Sequence, residues 1–149
     1  MTSGEKSFVL FPLGKRRFAL RSETVTELAR PDRPQSFPHT SRLLSGVLLR
    51  RGRIVPVCDV AQLLLGPGAP ARKFYLIASR QFGPISESTA IPVTGQCELV
   101  KAAELPVTGR MPEYVTGIIS LPEEIVEVVD LEKLIAIAAR GEQGAEAQP

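Results

Sequence analysis

Tryptophan is absent, histidine occurs once and cysteine only twice in these 149 residues. Cys58 and Cys97 do not form a Cys-x-x-Cys pair, and His39 alone cannot complete a Cys/His zinc set, so no metal site is expected. Both cysteines lie among apolar neighbours and read as small buried hydrophobes. Aromatic residues make up 5% of the chain, so its core must rest on Val, Ile and Leu. The formal charge is only +2, which gives no bulk electrostatic case for nucleic acid. No apolar run approaches the roughly 20 residues of a membrane span, and Met1 to Ser7 has no apolar signal-peptide core. A cytoplasmic protein without direct membrane insertion is expected.

Catalytic signatures are missing as well. There is no GxSxG, HExxH, GxGxxG or GxxxxGK[ST]. His39 sits between Pro38 and Thr40 in a proline-rich connection, where a general base would lack fixed geometry. Glu123, Glu124, Glu127 and Asp130 flank a turn instead of converging in a cleft, and Glu123 and Glu124 read as solvated turn residues. No nucleophile, base and oxyanion donors converge, so no catalytic residue, cofactor site or enzyme activity is expected. Basic residues cluster at two turns: Lys15, Arg16 and Arg17 at one, Arg42, Arg50, Arg51 and Arg53 at the other. They read either as solvated turn charge or as guanidinium forks for carboxylates or carbonyls on a partner helix. Nucleic acid is not expected there, because the aromatic stacking platforms that single strands need look buried.

What is present is a succession of short β-prone runs. Phe8 to Leu13 and Arg17 to Leu20 predict a hairpin across Gly14-Lys15-Arg16. Ser22 is a candidate N-cap for a short helix that would place Val25 and Leu28 on one face. Pro31, Pro34 and Pro38 predict an exposed connection over 30–39. Ser45 to Leu49 and Arg53 to Val57 read as strands joined at Gly52, with Pro56 suggesting an edge or a bulge. Asp59 can cap a short helix, Val60 to Leu65, stopped by Gly66-Pro67-Gly68. Lys73 to Ser79, Thr89 to Val93 and Gln96 to Lys101 read as further strands; 80–88 is a polar segment and 102–112 irregular. Tyr114 to Leu121 and Ile125 to Val129 predict a second hairpin, and Asp130 caps a helix from Leu131 to Ala139 with Leu131, Leu134, Ile135 and Ala138 on one stripe. Gly141 ends that helix. So many short strands favour a closed β architecture, since closure removes reactive edges. The two hairpin-plus-helix units suggest two related lobes.

The segment Gly46-Val-Leu-Leu-Arg-Arg-Gly-Arg-Ile-Val-Pro-Val-Cys-Asp-Val60 resembles the central motif of the CheW-like domain family, roughly G-V-x-N-L-R-G-x-I-x-P-V-x-D-L. Phe8 to Gly14 with Phe18-Ala-Leu20 is similar to the family's opening hairpin, and Val25-Thr-Glu-Leu28 to its following helix. Glu113 to Gly117 and Val126 to Leu134 resemble the closing strand, strand and helix. The likeness runs from about Phe8 to Ala139. Leu49 stands where the family usually has Asn, Arg50 where it has Leu, and Thr94 where it has Asp.

The resemblance implies a mainly β fold of two five-stranded SH3-like barrel lobes with short helices and a groove between them. Residues 8–139 would form that domain, with disordered ends at 1–7 and 140–149. It also implies a non-catalytic adaptor that couples the cytoplasmic tip of methyl-accepting chemoreceptors to the regulatory domain of a CheA-type histidine kinase, recruited to membrane-associated receptor arrays. The partner-binding positions it implies are Val25, Gly46 and Arg51. Val25, Leu28 and Val47 would line an apolar trough, Arg51 would set register beside Gly52, and Gly46 would permit close backbone approach. The alternative is a divergent regulatory domain that binds another signalling protein or a small ligand in a non-flagellar chemosensory pathway.

Overall fold

A computed structural model describes residues 4–29, 44–50, 52–66, 74–82 and 84–137. The proline-rich connection with His39 and Arg42, the turn residue Arg51, and everything beyond residue 137 lie outside the described residues, so the expectations for them are not addressed by it.

Among the described residues, ten strands form two five-stranded sheets. The first contains β1 (Glu5–Leu13), β2 (Arg16–Arg21), β8 (Glu98–Leu105), β9 (Val115–Ser120) and β10 (Ile125–Val129), and it closes into a barrel in the order β1-β2-β10-β9-β8. The second contains β3 (Val25–Ala29), β4 (Leu44–Arg50), β5 (Arg53–Cys58), β6 (Phe74–Phe82) and β7 (Ile85–Val93), in the order β3-β6-β7-β5-β4. Helix α1 (Ala61–Leu65) follows β5, and a second helix, α2, runs from 131 to the last described residue, 137. The mainly β, two-lobed architecture expected from the sequence is therefore found.

Side-chain alternation builds three cores. Phe8 and Leu10 of β1 and Ala19 of β2 point into the barrel with Ile119, Val126 and Val128. Their neighbours Val9, Phe11, Leu13, Phe18 and Leu20 point the other way, onto Leu76, Ala78, Ile91 and Val93 of the second lobe and onto α1 and α2. Tyr75, Ile77 and Ala90 turn inward again, with Leu48, Val55 and Val57, to fill the second lobe. Strands whose two faces are both covered must be apolar throughout, as Phe8 to Phe11 is. The lobes thus meet through a packed core along these strands.

The second helix starts as expected, after Asp130, whereas α1 starts at Ala61, one residue later than expected, with Val60 in the N-cap position. Asp59 Oδ1 accepts the Ala61 N–H (3.1 Å) and Asp130 Oδ1 accepts the Lys133 N–H (3.0 Å), satisfying otherwise orphaned first-turn donors. Gly66, at φ +85°, closes α1.

Five expectations need correction. Val25 to Leu28 is strand, not helix: only a 3-10 turn, Ser22–Thr24, precedes it, and Ser22 makes no capping bond. So short a helix has little stability of its own in water, whereas the β6 edge offers backbone partners. β1 starts at Glu5, earlier than expected, because Glu5 to Ser7 pair with Lys101 to Ala103. The segment read as polar is instead largely paired: Arg80 to Phe82 oppose Ile85 to Glu87 in a hairpin whose register runs unbroken from Phe74↔Val93 to Phe82↔Ile85, and backbone pairing does not require apolar side chains. β8 likewise continues through Leu105, since Ala102 is buried in the barrel. Pro56, for its part, pairs with Val47 in a strand flanked on both sides. It is tolerated because β5 meets β7 at the single register position Val57↔Ala90.

Candidate docking surface

The residues singled out in the sequence gather on the second lobe. The ladder between β3 and β6 shifts between Val25 and Glu27. That irregularity returns Val25, opposite Ala78, and Leu28, opposite Leu76, to the same side of the sheet. They share a face as the sequence suggested, for a strand reason and not a helical one. Val25 packs partly against the inter-lobe core, while Leu28 is 54% exposed.

On β4, Gly46 and Leu48 face inward and Val47 and Leu49 outward. Gly46 is buried, next to a register shift between Leu44 and Gly46. Val47 pairs with Pro56 and Leu49 with Ile54, so two apolar cross-strand pairs sit on the outer face. Leu49 is 58% and Ile54 67% exposed. Gly52 turns the hairpin at φ +76°, a left-handed conformation that glycine adopts without strain. Arg51 is outside the described residues.

Sequence reasoning missed two features of this face. Leu49 and Ile54 form its most exposed apolar pair, and the signal was available: they stand one position in from either side of the turn, on the strand face that alternation points outward. The second feature is an ion pair. Arg50 Nη2 donates to Glu27 Oε1, so the last residue of β4 is bound to the middle of β3. No strand pairing links β3 to β4 among the described residues, and these are the outer strands of the sheet. The ion pair spans the seam between them. Glu27 lies opposite Ile77 and Arg50 on the Leu48 side of β4, so the link is made on the interior side, below Leu28, Val47 and Leu49.

Three arginines of the barrel lobe are bound to carboxylates. Arg17 binds Glu98 (2.8 Å) and Glu124 across one mouth of the barrel, and hydrogen bonding to Glu124 raises its already high pKa. Arg21 binds both carboxylate oxygens of Glu104 (2.9 Å each) at the other mouth, with Lys6 at 4.0 Å. Arg16 bonds to Glu127 (3.2 Å) and lies over the Phe18 ring, 4.7 Å from its centroid. Glu124, expected to be a solvated turn residue, is therefore a partner of the first basic turn, as is Glu127. On the second turn Arg53 is exposed, with no acidic partner among the described residues.

Thr94, which replaces the family's usual Asp, lies away from this face. Its hydroxyl accepts the Gly14 N–H (2.9 Å) and donates to the Pro12 carbonyl (3.1 Å), tying the end of β7 to the β1–β2 turn of the other lobe. No cluster of three or more metal-ligating side chains occurs among the described residues, and none of their helices is long and apolar enough to cross a membrane.

A family model described as the CheW-like domain matches residues 7–139. The chain belongs to that family. As a CheW-like domain it is similar to the probable chemotaxis protein CheW of Rhizobium etli, at 19% identity over 91% of each chain. It is also similar to the chemotaxis protein CheW of Klebsiella aerogenes, at 27% identity over 88% of this chain and 82% of the other. Its fold matches the crystal structure of the scaffolding protein CheW of Thermoanaerobacter tengcongensis with a TM-score of 0.73 and 21% identity, covering 87% of this chain and 92% of that one.

Proposed function

We propose that this CheW-like domain is a non-catalytic adaptor of a chemotaxis-type pathway, working in the cytoplasm at membrane-associated receptor arrays. It docks the helical cytoplasmic tip of a methyl-accepting chemoreceptor and the regulatory domain of a CheA-type histidine kinase. The observation that carries the reading is the family match over 7–139 together with an exposed apolar strip on that family's central motif. Leu28, Val47, Leu49 and Ile54 offer the strip, and an amphipathic helix offers a complementary one. Exposed Arg53 favours acidic side chains flanking the guest's apolar stripe. Gly46 and Gly52 shape the hairpin, Val25 supports β3 against the inter-lobe core, and Arg51 is proposed to bond the guest through its guanidinium fork.

The test is to mix the purified chain with the kinase regulatory domain and then add a receptor signalling-tip fragment encoded in the same genome. A ternary complex that Arg51→Ala weakens, with unchanged circular dichroism, is expected. Absence of binding to both proteins would discard the adaptor reading.

A further inference from the structure

The second lobe has an unusual closure. The barrel lobe is closed by strand pairing all round, but in the second lobe β3 and β4 are held across their seam, among the described residues, by Glu27 and Arg50. Exposed apolar groups on the outer surface straddle the same seam, with Leu28 on β3 and Leu49 and Ile54, beside half-buried Val47, on the β4–β5 hairpin. Arg50 also stands directly opposite Arg53 in the register. Two like charges facing each other across a strand pair repel, and Glu27 neutralises one of them. Arg50 Nε is buried without an acceptor, so this arginine sits where the ion pair requires it at the expense of one of its own donors.

We propose that Glu27 and Arg50 are a positioning pair for docking: they hold β3 and β4 at the spacing a helical guest must bridge. The inference rests on the adaptor reading above and adds the element that presets its surface. Neither residue needs to touch the guest. A guest lying across the seam meets apolar groups on both strands at once only if the strands keep their separation, and fixing that separation beforehand removes an ordering cost from binding. The pair is part-buried, so its effect is weakened and not abolished by salt.

The experiment compares the full chain with Glu27→Gln, Arg50→Gln and the charge-swapped Glu27→Arg/Arg50→Glu double variant. Affinity for the receptor signalling-tip fragment is measured by titration calorimetry, and amide exchange by mass spectrometry. Each single variant is expected to weaken binding about tenfold and to speed exchange in residues 25–29 and 44–50, leaving the barrel strands unchanged. The swapped variant is expected to recover most of both losses. Single variants that bind as tightly as the wild type would overturn the proposal. So would a swap that restores thermal stability and edge protection but not affinity, since that marks a merely structural pair. If the wild-type chain itself fails to bind the tip, the adaptor reading falls, a result distinct from either.

Discussion

The Glu104 carboxylate occupies the space where a side chain on Gly117 would begin: an ideal Cβ at Gly117 would overlap its Cγ, Cδ and Oε2. Both residues face the barrel interior at the mouth where Arg21 and Lys6 hold Glu104, whose side chain is only 10% exposed. Because Arg21 bonds both of its oxygens, Glu104 cannot simply swing aside. Gly117→Ala is therefore expected to cost about 1–3 kcal/mol of stability. In a Glu104→Ala background the same substitution should cost much less, because the obstruction is gone. Thermal denaturation of the four proteins in this cycle decides it, and equal costs in both backgrounds would refute the packing argument.

Cys97 packs against the inter-lobe core, and burial pushes its thiol from 9.0 to about 11. The folded state thus favours the protonated form. The associated stability is fully present below about pH 9 and is lost as the pH rises through about 11. Denaturant titrations between pH 8 and 11 should show this alkaline loss, and Cys97→Ala should reduce it. At neutral pH Cys97 should react slowly with a thiol reagent until the chain is unfolded.

Leu49 and Ile54 are opposite one another and mostly exposed, so their side chains do little for the fold. Leu49→Ser and Ile54→Ser should each change stability by no more than about 0.5 kcal/mol. Against the receptor tip, the double variant should lose at least about tenfold in affinity. Undiminished binding would move the guest off this face.

Thr94 ties the lobes together through Gly14 and Pro12. Thr94→Val keeps the shape and removes the hydroxyl, leaving the Gly14 N–H without its acceptor, at an expected cost of about 1–2 kcal/mol. Faster exchange of the Gly14 amide, read by nuclear magnetic resonance, should accompany the lower melting temperature. An unchanged amide would show that water replaces the hydroxyl.

Much of this architecture was legible along the chain because its signals are local. The hairpins at Gly14, Gly52 and Pro122 to Glu124, the hydrogen bonds of Asp59 and Asp130 at the helix starts, and the family motif from Gly46 to Val60 each depend on a few adjacent residues. Val25 to Ala29 was not legible: nothing within those five residues outweighs a helix until β6 supplies backbone partners. The polar outer half of the β6–β7 hairpin was hidden for the same reason, since its pairing comes from the opposite strand and not from its own hydrophobicity.

Composition and turn chemistry alone determined a mainly β chain, and adjacent residues carried a recognisable family motif. Only the tertiary structure decided which charges were already spoken for. Arg16, Arg17, Arg21 and Arg50 find carboxylates 23 to 111 positions away, and a sequence does not display which distant side chains a closed sheet brings within a few ångströms. The same closure decided that Leu49 and Ile54 face outward together, because facing is a property of register between strands and not of either strand by itself.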